Sequence, residues 1–226
     1  MVGQKSAAIV NFLSGKSVLS PGLSHITQAG SYLGKLHLTA QNFTMTRRNH
    51  MSFDAWERLL GGIRERTSTL QDNTLLKLLG DELTYQQQHW PHDLPRGIIH
   101  ADMFPNNVFF DEAGQLSGII DFYFACHDML AYDLAIVANA WCMDAQGHLI
   151  PSHYDALLAA YQQQRPLLDE ELQAMPCLLR AAALRFLLTR TYDMLTYDAD
   201  ALVVPHDPYV YARILTAHQS AVQHAC

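Results

Sequence analysis

Apolar residues recur at three- and four-residue steps from Pro21 to Phe43, at Leu23, Ile26, Ala29-Gly30, Leu33 and Leu36. That period predicts a helix with one buried face. Ser52-Phe53-Asp54-Ala55-Trp56 reads as a capped helix start. Another helix is predicted over roughly Thr67 to Gln88, with Leu75, Leu76, Leu78, Leu79 and Leu83 on its apolar face and Gly80 weakening its middle. Pro91, Pro95 and Gly97 end that helical region. Helical spacing returns from about Tyr132 to Asp144, near His153–Gln164, over Glu170–Leu195 and near Tyr209–His224. Towards the start, KSAAIVNFL at residues 5–13 is apolar and partly β-branched, which predicts a strand running into the connector Leu13-Ser14-Gly15-Lys16. The whole reads as a small β centre within a helical lobe, an α+β fold that is mostly helical, with no internal repeat.

The chain is organised around Gly97 to Asp121, GIIHADMFPNNVFFDEAGQLSGIID. Ile98-Ile99 runs into the polar His100-Ala101-Asp102. Asn107 precedes the apolar run Val108-Phe109-Phe110, Asp111-Glu112-Ala113-Gly114 makes a turn, and the strand Gly118-Ile119-Ile120 ends on Asp121. This predicts a hairpin-like unit with two carboxylates and one carboxamide at strand ends, where the backbone can hold them close together.

Composition narrows the reading a little. The 226 residues suffice for one good core, and the apolar share of 49% is that of an ordinary globular protein. Net charge is −7 with Lys and Arg scattered, so no basic run invites nucleic acid. No apolar segment reads as long and uncharged enough to span a bilayer, and Met1-Val2-Gly3-Gln4-Lys5 does not open a signal peptide. Cys126, Cys142, Cys177 and Cys226 are widely spaced, which favours free thiols in a reducing cytoplasm. His89-Trp90-Pro91-His92 is broken by proline and has no partner at zinc-site spacing, so a surface role is expected.

Two carboxylates and a carboxamide around such a unit suit phosphoryl transfer. A base must orient a hydroxyl, and hard oxygen ligands must hold Mg²⁺ on the phosphates. The spacing is His-x-Asp-x-x-x-x-Asn, followed at strand length by Ile-Asp-Phe. Alone, the first spacing arises by chance in about one chain in a hundred. With Ile120-Asp121 after a strand-turn-strand spacer, and Tyr132-Asp133-Leu134-Ala135 beyond it, chance is a poor explanation.

The stretch resembles the catalytic loop and metal-binding aspartate of the kinase-like small-molecule phosphotransferases, the aminoglycoside and choline kinase group. Leu33-Gly34-Lys35-Leu36-His37 resembles the Leu-Ala-x-Leu-His signature in that family's first long helix. Within the group, three runs are similar to homoserine kinases of the kinase-like type. They are DFYFACHDMLAYDLAIVANAWC at 121–142, LRAAALRFLLTRTYDML at 179–195, and HADMFPNNVFF at 100–110 against their HADLFPDNVFF. The likeness runs from about Lys5 to the last helix. The resemblance implies the C-terminal lobe of a protein-kinase-like fold and ATP-dependent phosphorylation of L-homoserine, a step in threonine biosynthesis.

It also implies roles. Asp102 would accept or orient the substrate hydroxyl proton, and Asn107 and Asp121 would ligate Mg²⁺. His100 would be scaffold for the loop, and Asp133 would tie down the loop backbone, with Asp128 serving similarly. For either aspartate, helix capping is the alternative. His37 is expected to be structural. Asn106 replaces the family's usual Asp and removes one negative charge beside the metal site. Asn11, Phe12 and Leu13 are the hinge candidates for adenine, although a simple edge strand explains that stretch as well. For the zwitterionic substrate, Arg185, Arg190 and Asp193 on the late helix are candidates, together with Tyr123 and its neighbour Phe124. Arg190 and Asp193 lie three apart on one helical face, so an ion pair between them is an equal alternative. Core packing explains the two aromatics equally well.

In that family a β-rich lobe of about eighty to ninety residues precedes the hinge and carries the phosphate-covering loop and its lysine. Here residues 1–14 read as a remnant of that lobe and the hinge, and 15–226 as the helical catalytic lobe. Lys5 is out of place for the phosphate-gripping lysine, so impaired activity is expected of this chain alone. Two other readings stay open, a choline- or aminoglycoside-type alcohol kinase and a non-catalytic kinase-like fragment. Metal-dependent hydrolysis by His100, Asp102 and Asp121 lacks a second ligand cluster.

Overall fold

The computed structural model describes residues 11–66, 73–198 and 204–223. Seven α-helices surround two small sheets among them. Helix α1 (Leu23–Thr39) buries Ile26, Ala29, Gly30, Leu33, Gly34 and His37, the face its period predicts. It packs along α5 (Pro151–Gln162). A Cβ on Gly30 would stand 2.5 Å from the Leu157 carbonyl oxygen, so glycine is what lets the two helices close up. Helix α2 (Phe53–Glu65) starts after Ser52, whose hydroxyl donates back to the Asn49 carbonyl at 3.1 Å instead of capping the helix. Helix α3 (Asn73–His89) follows. The part of the helix expected at residues 67–72 lies outside the described residues.

The centre of the core is α4 (Leu130–Trp141), mostly apolar and buried at every position from Leu130 to Asn139, with Asp133 and Asn139 as its buried polar residues. It packs on α6 (Asp169–Leu195), which also receives α2, α3 and α7 (Tyr209–Gln223). At 27 residues α6 is about 40 Å long. It contains Pro176, and it buries Arg180 in a bidentate pair with Glu82 of α3. By length and composition α6 could cross a membrane, which corrects the expectation that no segment qualifies. Yet 67% of the qualifying stretch is buried against the other helices, as in a core helix.

The β centre differs from the hairpin-like unit expected. Strands β3 (Val108–Phe110) and β4 (Leu116–Ile119) do form a hairpin, and β1 (Lys16–Ser17) pairs with β3. The strand ending at Ile99, β2 (Arg96–Ile99), does not join them. It pairs antiparallel with β5 (Cys126–Met129), Ile99 opposite Cys126. The catalytic-loop candidates therefore hang between two separate ribbons. Of the strand expected at 5–13, residues 5–10 lie outside the described residues, and Asn11, Phe12 and Leu13 are not in a strand. The strand comes later, at Lys16–Ser17, within and after the expected connector.

Candidate active site

The loop from His100 to Asn107 joins the two ribbons, and its backbone is held from below. The Asp133 carboxylate, fully buried on α4, accepts from the amides of His100 and Ala101 at 2.8 Å each. His37 Nε2 lies 3.1 Å from the same carboxylate, and His37 Nδ1 lies 2.8 Å from the Tyr161 hydroxyl. Arg165 then reaches that hydroxyl at 3.2 Å and Glu171 at 3.0 Å. Burial works to raise the Asp133 pKa, but the His37 hydrogen bond, the nearby imidazoles and the loop amide together hold it below the usual carboxylate value. It is a carboxylate in place to anchor a loop.

Ala101 takes φ = 64°, a left-handed conformation that costs an alanine about 1 kcal/mol. Three contacts over-determine it: its amide goes to Asp133, its carbonyl accepts from Arg185, and Trp141 Nε1 donates to the Met103 carbonyl at 2.8 Å beyond. Asn107 Nδ2 donates to the Asp102 carbonyl at 2.8 Å and approaches its carboxylate at 3.4 Å. His100 joins the second ribbon, its Nε2 lying 3.0 Å from the Ile120 carbonyl, while its Nδ1 is placed to accept the Asp102 amide at 3.2 Å. The Ile120 amide donates to the Asn107 carbonyl at 2.9 Å. Asp121 follows at once, also left-handed at φ = 64° and exposed, with a long contact from the Tyr123 amide at 3.4 Å. Asp and Asn tolerate this conformation far better than other side chains do.

Asp102, Asn107 and Asp121 are thus brought together. Burial pushes the Asp102 pKa up to about 6, and Asp121 pushes the same way, while Arg185, His100 and the Asn107 hydrogen bond oppose them. A carboxylate so poised is a competent base near neutral pH. Carboxyl NMR of the metal-free chain should show one aspartate titrating near pH 6, absent in Asp102→Asn. A midpoint near 4 for every aspartate carboxyl would remove the tuned base.

With its nitrogen spent on Asp102, Asn107 has Oδ1 left for a cation, and Asp121 offers its carboxylate. Among the described residues no group of three His, Cys, Asp or Glu could cage a metal ion. The donor set, one carboxamide oxygen and one carboxylate, fits Mg²⁺ completing its shell with phosphate and water oxygens.

The other sequence-predicted residues are distributed more widely. Asp128 lies on β5 away from the loop, accepting from Asn49 Nδ2 at 2.7 Å, from Arg96 at 2.6 Å and from the Met129 amide. It ties the β2–β5 ribbon to the segment before α2. Arg185 is 1% exposed, donates to the Ala101 carbonyl and stacks against Phe124 and Phe186. That places it in support of the loop, with its Nε left without a partner among the described residues. The alternative of an Arg190–Asp193 ion pair is not realised among the described residues: Arg190 lies over aromatic rings and Asp193 feels His206 instead. Tyr123 is 75% exposed, its carbonyl accepting from Arg47. Phe12 is 95% exposed, and Leu13 packs on Gly118 of β4. Asn106 is exposed. Sequence reasoning missed Tyr161, Arg165 and Tyr211, for which no local motif signals the role. It also missed Arg47 and Asn49, which brace the segment after Asp121.

The phosphotransferase enzyme family matches residues 3–170, and the chain belongs to it. A homoserine kinase from Bradyrhizobium sp. (strain ORS 278) is 46% identical over 96% of this chain and 66% of its own length. One from Parvibaculum lavamentivorans is 44% identical over 99% of this chain and 69% of its own. The chain spans about two thirds of the length of these curated relatives. Choline kinase from Cryptosporidium parvum superposes with a TM-score of 0.65 at 13% identity, covering 95% of this chain and 71% of its own. Ethanolamine kinase from Plasmodium vivax gives 0.60 at 15%, covering 95% and 65%. At such identities the neighbours speak for the fold alone, which is the mostly helical, kinase-like one expected from the sequence.

Proposed function

We propose that this chain supplies the catalytic lobe, residues 15–226, of an ATP-dependent kinase that phosphorylates the hydroxyl of L-homoserine in the cytoplasm, serving threonine biosynthesis. The observation that carries the substrate is the 46% identity to a homoserine kinase over 96% of the chain. The chemistry rests on the loop. The Asp102 carboxylate accepts a hydrogen bond from the acceptor hydroxyl and aims its oxygen at the γ-phosphorus of ATP. As the new P–O bond forms and the bond to the β,γ-bridging oxygen breaks, the hydroxyl proton passes to Asp102 and ADP leaves. Asn107 and Asp121 would hold Mg²⁺, which when bound neutralises charge on the transferring phosphates. Asp133 and Arg185 keep Ala101 twisted, so that Asp102 stays aimed without reorganisation. The nucleotide base is assigned to Asn11–Leu13, with Phe12 free to lie against it.

The test is a coupled ADP-release assay with L-homoserine, choline and an aminoglycoside as acceptors. It should be run on this chain and on the chain joined to the remaining third of a relative. Turnover with L-homoserine well above the other two is the expected result. Turnover with choline alone would replace the substrate, and none with any acceptor in the joined form would leave a non-catalytic fragment.

A further inference from the structure

Among the described residues, Arg190 is a cation within electrostatic reach of Asp102 that makes no hydrogen bond to the loop. Arg185, five positions earlier on α6, is buried and donates through one terminal nitrogen to the Ala101 carbonyl, its Nε left without a partner among the described residues. The Arg190 guanidinium instead stands 4.6 Å over the Tyr211 ring and 6.0 Å from that of Phe104. Its hydrogen bond to the Asp207 carbonyl is long, at 3.4 Å. Among the described residues no carboxylate comes within ion-pair distance of it. Burial pulls its pKa down, while Tyr211, Asp207 and Asp102 pull the other way. This is a partly desolvated cation held on aromatic faces without a counter-ion, within electrostatic reach of the base.

Phe104 fixes the geometry. It follows Asp102 by two residues in the same loop and packs edge-on against Phe186 at 4.8 Å. Phe186 in turn meets Tyr211 at 5.2 Å. The rings that carry Arg190 are therefore braced against the loop that carries the base. A planar fork so placed pairs bidentately with a carboxylate and repels a quaternary ammonium.

We infer that Arg190 receives the carboxylate of the acceptor, so that the site selects an amino-acid alcohol over a cationic amino alcohol. This rests on the proposed homoserine kinase reading and assigns the residue that decides between it and a choline-type acceptor. In that role Arg190 is a specificity residue, and Arg185 is not interchangeable with it.

The test compares L-homoserine with L-homoserinamide, which keeps the hydroxyl and ammonium but lacks the carboxylate. Each is titrated calorimetrically onto the wild-type chain, Arg190→Lys and Arg190→Gln, with a melting curve for every protein. The wild type should prefer L-homoserine over the amide by about ten- to a hundredfold, the size of one charge-assisted contact. Arg190→Gln should erase that preference and Arg190→Lys restore part of it, all three melting alike. In turnover the change should appear in KM for L-homoserine more than in kcat. If the wild type binds neither compound, the homoserine kinase reading fails and takes this inference with it. If the wild type prefers L-homoserine and Arg190→Gln keeps that preference, the inference alone is overturned. A lowered melting temperature with the preference intact in both variants also overturns it, since Arg190 would then act only on the fold.

Discussion

Asp102→Asn should cut phosphoryl transfer by ~10²–10⁴, the usual cost of removing a general base, with little change in nucleotide affinity. Asparagine keeps the shape and can still touch the hydroxyl, but it cannot take the proton. The same substitution should raise thermal stability at pH 8. The folded pKa of Asp102 is raised from 3.8 to about 6, so the ionised form is disfavoured by folding. The cost is absent below pH 4, grows as the pH climbs between the two values and is complete above 6. A rise of that size corresponds to at most about 3 kcal/mol, and solvent around this half-buried side chain reduces it. Steady-state kinetics and melting curves at pH 4 and pH 8 check both halves. Near-normal turnover in a folded Asp102→Asn protein would remove Asp102 from the chemistry, and equal melting at pH 8 would mean its carboxylate is not penalised.

The second large effect is on stability. Asp133→Ala removes the acceptor for the His100 and Ala101 amides and the partner of His37, all in the dry centre of the lobe. Breaking a buried charged network from one side costs about 3–5 kcal/mol, or roughly 6–20 °C in Tm for a chain of this size. The Asp133 pKa is depressed, so its stabilisation is present above the unfolded carboxylate value and fades as the pH falls through the folded one. Asp121→Ala should cost less: an alanine at the left-handed φ of 64° loses about 1 kcal/mol, so Tm should fall by only about 2–4 °C while Mg-ATP binding weakens. Calorimetric titration and melting of both variants read the contrast directly. A stable Asp133→Ala and an unstable Asp121→Ala would exchange scaffold and ligand.

The helices were legible because their buried faces repeat along the chain: Ile26, Ala29, Leu33 and His37 point one way in sequence and in space. The candidate triad could be singled out because it is local, Asp102 and Asn107 in one loop and Asp121 just past the end of β4. What escaped was pairing. Cys126-His127-Asp128-Met129 has neither alternation nor β-branched residues, yet it is the strand that takes β2 away from the hairpin. Its partner is chosen by the burial of Ile99 and Cys126, which no local pattern encodes. The support behind the loop escaped for the same reason. His37 and Tyr161 meet across 124 residues, through the glycine-lined contact of α1 with α5. The division of labour between Arg185 and Arg190 also needs three dimensions, since five helical positions turn one inward and leave the other on the aromatic edge.

Pro176 has a consequence for how the lobe opens. Proline has no amide hydrogen, so the Leu172 carbonyl, on a residue 40% exposed, loses its usual donor four residues on within α6. The hydrogen-bond ladder of the longest helix therefore lacks one rung near its start. Residues before the break belong with Arg165 through Glu171, whereas Arg180, Arg185 and Arg190 all lie beyond it. Transient fraying of the first turns can exchange amide protons with solvent without disturbing the segment that supports the loop.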